Sequence, residues 1–143
     1  MIVRSIGELI KDQVLVTISR QATVSQACEI MSDKNVGALV VMDEIGMCGI
    51  LCDSDVIQRC EAPGAPADLM RVDAIMTPKP ETIEIQQSLK DALVLMIEGG
   101  FRHLPVVEAS GKVVGVVSMR DIPTEFRLMV ARFSAYKALH AAE

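Results

Sequence analysis

Ser118 and Asp121 stand three residues apart where a helix is predicted to start, and Cys52 and Asp55 share that spacing earlier in the chain. A hydroxyl and a carboxylate so spaced can do one of two things. They can cap the helix, each side chain satisfying an orphan backbone N–H. The carboxylate can instead accept hydrogen bonds from both cis hydroxyls of a ribose, a bidentate contact that recognises the sugar and ignores what it carries. Three potential cations, Arg102, His103 and Arg120, fall near Ser118 and Asp121. Guanidinium groups suit phosphate oxygens, although taken singly each Arg is as well explained by a solvated surface position and His103 by a hydrogen-bonded edge position.

Other chemistry is sparse. Cys28, Cys48, Cys52 and Cys60 form no CxxC pair, and the two histidines, His103 and His140, lie far from them, which disfavours zinc. Disulfide frameworks belong to small secreted chains, so all four cysteines are expected as buried, reduced thiols. The sequence has no Gly-rich phosphate loop with a lysine, no HExxH and no GxSxG, and outside the tail a Cys nucleophile has His103 alone as its base. The expectation is a protein that is not an enzyme, with no metal and no catalytic cofactor.

The elements that must position these residues are aliphatic. Hydrophobic residues make up 50% of the 143, yet only 3% are aromatic: three Phe, one Tyr and no Trp. A chain of this length buries about two thirds of its unfolded surface and needs no disulfide to hold a core. Lys and Arg total 14 against 19 Asp and Glu, and the net charge of −5 repels a nucleic-acid polymer, for which the few rings also leave no stacking surface. The N-terminal stretch is broken by Arg4, Glu8, Lys11 and Asp12, so it lacks a signal-peptide core. No run approaches the roughly 18 apolar residues of a membrane span. A soluble, cytoplasmic protein with no membrane and no nucleic-acid partner is expected.

The chain is duplicated. Ile10 to Asp43 aligns with Ile75 to Glu108 at a spacing of 65, with identities at Ile10/Ile75, Thr17/Thr82, Gln21/Gln86, Ala27/Ala92, Met31/Met96, Leu39/Leu104 and Val41/Val106. After one added residue the spacing is 66, matching Gly49 to Gly115 and Asp55 to Asp121. Thr23 with Gln26, and Ser88 with Asp91, mark two capped helices. Their apolar stripes are Val24, Ala27, Cys28 and Met31, and Leu89, Ala92, Leu93 and Met96. Strands are predicted at 38–42 and 104–107, and after a Gly-containing turn at 47–52 and 113–118. Second helices start at Asp53–Asp55 and at Ser118–Asp121. Two prolines in the stretch 62–67 mark an exposed loop, 68–74 is expected to be helical, and Met76-Thr-Pro-Lys-Pro80 is extended. Pro123 breaks the chain, and Thr124 then caps a final helix with Phe126, Met129, Val130, Phe133 and Lys137 on one side. The organisation is a segment 1–9, a repeat 10–61, a linker 62–74, a repeat 75–122 and a C-terminal helix 123–143.

The second copy carries Gly100-Phe-Arg-His-Leu-Pro-Val-Val107 and Gly111-Lys-Val-Val-Gly-Val-Val-Ser-Met-Arg-Asp121. The first carries Val36-Gly-Ala-Leu-Val-Val-Met-Asp43 and Gly49-Ile-Leu-Cys-Asp-Ser-Asp55. Together they resemble a CBS domain pair, or Bateman module. The resemblance implies an α+β fold of two βαββα repeats in a pseudo-two-fold arrangement plus the C-terminal helix, commonly assembled as a homodimer. It implies a regulatory sensor that binds an adenosine-containing ligand (AMP, ADP, ATP, NAD or S-adenosylmethionine) in the inter-repeat cleft and signals to an effector protein. The family's ribose motif carries over to Ser118 and Asp121, and in weaker form to Cys52 and Asp55. The expected ligand residues of the main cleft are Thr77, Pro78, Arg102, His103, Leu104, Pro105, Ser118, Arg120 and Asp121. A weaker second site is expected at Thr17, Gly37, Ala38, Cys52 and Asp55, its cations lost and Asp53 gained. Folding can alternatively bring the second copy's cations beside the first copy's motif. The alternative function is a ligand-free dimeric interaction scaffold.

Overall fold

The computed structural model describes residues 5–60 and 66–141. The first repeat comprises α1 (Ile6–Leu9), β1 (Thr17–Ser19), α2 (Val24–Lys34), β2 (Ala38–Met42), β3 (Met47–Cys52) and α3 (Asp53–Asp55), the last continued by a π-helical turn at Val56–Cys60. A 3-10 turn at Val72–Ala74 leads to β4 (Thr77–Pro78), β5 (Ile83–Glu84), α4 (Leu89–Gly99), β6 (His103–Val107) and β7 (Val113–Ser118). A second 3-10 turn, Met119–Asp121, precedes α5 (Thr124–Leu139). Most of the loop expected at 62–67, and the side chains of Cys60 and Val130, lie outside the described residues.

Both long helices start at reciprocal capping boxes. Thr23 Oγ1 accepts from Gln26 N–H at 3.1 Å while Gln26 Oε1 accepts from Thr23 N–H at 2.9 Å. Ser88 and Asp91 repeat the pair at 3.1 Å each way. Such caps are worth about 1 kcal/mol apiece. Both helices end on a left-handed residue, Asn35 (φ 53°) and Gly100 (φ 73°). These residue types tolerate that conformation, and each releases the chain into the next strand.

Two sheets result. In the first, β1 runs parallel to β2, β2 pairs antiparallel with β3, and β3 with β4; the second has the order β5-β6-β7. The hairpins are superimposable in register: Ala38 faces Cys52 and Leu39 faces Leu51, as His103 faces Ser118 and Leu104 faces Val117. Where β4 covers the edge of β3, the edge of β7 meets a side chain. The Gln13 amide donates to Val116 O at 2.9 Å and accepts from Val116 N–H at 2.7 Å.

The segments leading into each repeat exchange partners. Ile6 and Ile10 are buried in the second repeat's core with Ile83, Leu93, Met96, Leu104 and Val117. Val72, Ile75 and Met76, which lead into the second repeat, are buried in the first repeat's core with Val24, Met31, Leu39 and Leu51. A third cluster of Val40, Val107 and Val113 joins the two. Arg20 and Arg71 both donate to Asp73, at 3.2 and 2.7 Å, which ties the 3-10 turn at 72–74 to the end of β1.

Three local expectations change. Cys28 is exposed although its repeat partner Leu93 is buried. Helix α4 packs against α5, which follows the second repeat's 3-10 turn. Only Val72–Ala74 of the stretch 68–74 winds into a helical turn. Pro123, not Thr124, is the N-cap of α5, and the Thr124 hydroxyl instead accepts from Arg127 at 2.8 Å. Phe126 packs on the second core, whereas Met129, Phe133 and Lys137 border a groove of about 530 Å³ against α4. Leu128, Tyr136 and Leu139 are exposed on other sides of α5.

Candidate functional site

Two clefts open between the repeats, and each takes parts from both. The first, about 410 Å³, is bordered by Gln13, Val14 and Val16 from the lead-in of the first repeat and by Asn35, Val36, Gly37 and Ala38 at its helix-to-strand junction. Its opposite wall comes from the second repeat: Val116, Ser118, Arg120 and Asp121, with His103. The second cleft, about 640 Å³, reverses the contributions. Thr77, Lys79, Pro80, Glu81 and the junction Gly99–His103 come from the second repeat, and Ile50, Cys52, Asp53, Ser54, Asp55 and Gln58 from the first.

Equivalent backbone bonds set both junctions. Asp53 N–H donates to Gly37 O at 2.9 Å, and Met119 N–H donates to Arg102 O at 2.8 Å. Each acidic residue also closes its own turn: Asp55 Oδ2 accepts from Cys52 N–H and Asp121 Oδ2 from Ser118 N–H, both at 2.9 Å. Ser118 Oγ accepts from Arg120 N–H at 3.3 Å. The capping role is therefore real. It engages one oxygen of Asp121, and a carboxylate has acceptor capacity beyond that single bond.

The grouping expected from the sequence is corrected by this crossing. Ser118, Arg120, Asp121 and His103 meet in the first cleft, but with Gly37 and Ala38, which were expected in the weaker site. Thr77 and Arg102 line the second cleft with Cys52 and Asp55. The second cleft has not lost its cations, since Arg102 and Lys79 border it beside Asp53, Asp55 and Glu81. Leu104 and Pro105 are buried strand residues of β6, Pro78 pairs with Gly49, and Thr17 borders a separate shallow depression with Arg20 and Asp43. None of these four borders either cleft.

Sequence reasoning missed Val14, Val16, Val36 and Val116, which give the first cleft an apolar wall. The alignment held the signal: at a spacing of 65, Val14 and Val16 stand opposite Lys79 and Glu81. One lead-in is apolar and the other charged, so the two clefts were bound to differ.

Electrostatics sharpen the difference. Burial, then the neighbouring Asp55 and Asp53 carboxylates, push the Cys52 thiol up to about 12. The thiol is thus a neutral group at physiological pH and a weak hydrogen-bond partner where the second repeat has Ser118. Alkylation by iodoacetamide at pH 8 is expected to modify the exposed Cys28 well before Cys52, as timed peptide mass mapping would show. Burial also holds His103 below the usual histidine value; Asp53 and Asp121 pull it up, while Arg102 and Arg120 push it down. Among the described residues, no group of three or more His, Cys, Asp or Glu could hold a metal ion, and no helix is long and apolar enough to cross a membrane.

The model of the CBS domain matches this chain twice, over residues 6–62 and 72–125. The chain belongs to the CBS domain family. Both βαββα units of the CBS pair fall within the matched ranges, and their mixed α+β fold agrees with solved CBS structures, with the C-terminal helix α5 in addition. A protein with CBS domains from Burkholderia ambifaria MC40-6 is 30% identical, with TM-score 0.77 over 82% of this chain and 89% of that one. A CBS domain protein from Pyrobaculum aerophilum, solved in complex with AMP, is 24% identical, with TM-score 0.79 over 91% of this chain and 99% of that one; at that identity it speaks for the fold. An uncharacterized 17.7 kDa protein of Acidianus ambivalens is 30% identical over 73% of this chain. The CBS pair spans 63% of that relative and 15% of a longer one.

Proposed function

We propose that this CBS pair is a sensor module that binds an adenosine-containing ligand in the first cleft and passes its occupancy to an effector protein in the cytoplasm. The single observation that carries the reading is the convergence of Ser118, Asp121 and Arg120 on a cleft with an apolar wall. In this reading Asp121 accepts the ribose hydroxyls, Val14, Val16, Val36 and Val116 flank the adenine, and Arg120 faces a phosphate tail. A site with mostly apolar walls and a few convergent polar groups is the usual form of a small-molecule pocket. The AMP complex of the Pyrobaculum protein supports this ligand class. AMP, ADP, ATP, NAD and S-adenosylmethionine share the adenosine part, and Arg120 favours those with phosphate. The exposed Met129, Phe133 and Tyr136 on α5 favour a homodimer, and would do so equally for a ligand-free scaffold.

Melting of the wild type and of Asp121→Ala with each of the five ligands tests the reading. Circular dichroism or an extrinsic dye is the probe, since the chain has no Trp. A ligand at a hundredfold excess over its Kd stabilises the native state by about 2.7 kcal/mol. At least one of the five is expected to raise the wild-type Tm, and Asp121→Ala is expected to lose the first cleft's share of that rise. The variant also loses a cap bond, so the comparison is between ligand-induced shifts, not absolute melting points. No shift with any ligand would favour the scaffold, and a shift that survives Asp121→Ala unchanged would refute the ribose assignment.

A further inference from the structure

His103 lies where the repeats meet and borders both clefts. Its counterpart in the first repeat is Ala38, so the duplication places one imidazole at this junction instead of two. Gly37 leaves room for the ring: a Cβ there would lie 3.2 Å from His103 Nε2 and 3.4 Å from Asp53 Oδ2. The charged groups acting on the ring come equally from the two sides. Asp53 and Arg102 belong to the second cleft, and Asp121 and Arg120 to the first. From each cleft one carboxylate and one guanidinium act on the same imidazole, although Asp55, Glu81 and Lys79 also border the second cleft.

We propose that His103 couples the two clefts, so that an anionic ligand held in one raises the affinity of the other for an anionic ligand. The inference rests on the nucleotide reading above, extends it to the second cleft and adds its regulation. A phosphate beside Arg120 or Arg102 offsets the guanidinium and adds negative charge near the ring, which then takes up one proton from solvent. The imidazolium faces the second cleft as well and attracts the next anion. Linkage makes the effect reciprocal, and couplings of this kind are typically about fivefold or more in affinity. The sign sets a pH window. Below the midpoint of the free protein, which burial holds under the usual histidine value, the ring is already charged and a ligand adds nothing. Above the midpoint of the ligand-bound protein the ring stays neutral, and the two anions repel. An adenosine without phosphate leaves the ring neutral and binds each cleft independently.

The chain has two histidines, so the His103 imidazole signal is assigned by comparison with His103→Gln in a proton NMR titration. In the free protein, Asp53→Asn and Asp121→Asn are each expected to lower the His103 midpoint. AMP is expected to raise it, both in Asp121→Ala, where only the second cleft is intact, and in Asp55→Ala, where only the first is. Calorimetry with AMP is expected to show cooperative binding near pH 6.5 that disappears at pH 8.5 and in His103→Gln. A midpoint that answers to only one carboxylate, or AMP isotherms unchanged by His103→Gln, would overturn the coupling. If AMP binds nowhere while both Asn variants still move the midpoint, the nucleotide reading fails and the shared imidazole stands.

Discussion

Alanine at position 49 is expected to cost about 3 kcal/mol, the upper end of the range for overpacking, and alanine at its repeat partner 115 distinctly less. A Cβ on Gly49 would lie 2.5 Å from Met76 Sδ and 2.8 Å from the carbonyl oxygen of Thr77. The second contact is backbone, and β4 is fixed there by the Gly49–Pro78 and Ile50–Thr77 pairs. Relief requires the lead-in to leave the edge of β3, which would also shift Thr77 at the rim of the second cleft. A Cβ on Gly115 would meet Ile10 Cδ1 at 2.7 Å and Gln13 Oε1 at 2.8 Å, both ends of side chains that can turn. The cost there is about 1–2 kcal/mol, part of it from the two bonds that Gln13 makes to Val116. Urea unfolding followed by circular dichroism measures both, with unchanged m-values expected. Equal costs at the two glycines would mean that β4 is no more firmly held than a side chain.

That pair of glycines also shows what a duplicated sequence can and cannot disclose. The repeat itself was legible because local rules decide it. Hydroxyl caps at Thr23 and Ser88, the stripe Leu89, Ala92, Leu93, Met96 and the paired apolar strands each rest on neighbours within a few residues. The resemblance to CBS pairs added the ribose motif, and Ser118 and Asp121 do meet in a cleft. The sequence left open whether residues of one copy share one cleft or cross to the other's, and the crossed arrangement is the one that places Arg102 beside Cys52 and Asp55. Which copy's junction faces which copy's turn depends on how two sheets pack and where two lead-ins cross, contacts between residues up to about a hundred positions apart. Gln13 and Val116 illustrate the distance: 103 residues separate partners that are joined by two hydrogen bonds. The exposure of Cys28 was hidden in the same way, because which helix positions are covered depends on elements distant in sequence, as α5 on α4 shows.

Leu39→Ala and Leu104→Ala are each expected to destabilise the protein by about 2–5 kcal/mol, the usual range for a buried leucine replaced by alanine. Both leucines are fully buried, and the duplication makes them equivalent, each one inside its own repeat's core. For a chain of this size that corresponds to a Tm lower by roughly 6–15 °C. The larger consequence concerns cooperativity. If the repeats were separate folding units, Leu39→Ala would leave the second repeat folded and the melt would become biphasic. The exchanged lead-ins argue otherwise: Ile6 and Ile10 fill the second core, and Val72, Ile75 and Met76 fill the first. Unfolding either repeat therefore withdraws apolar side chains from the other, and the cluster of Val40, Val107 and Val113 is lost as well. Both variants should keep a single transition, coincident by circular dichroism and by limited proteolysis. The double variant should lose close to the sum of the two costs, because the leucines sit in different clusters and share no buried neighbour. A second transition in Leu39→Ala alone would mean that the lead-ins lie on their neighbours without holding them, and the two clefts would then report to halves that respond independently.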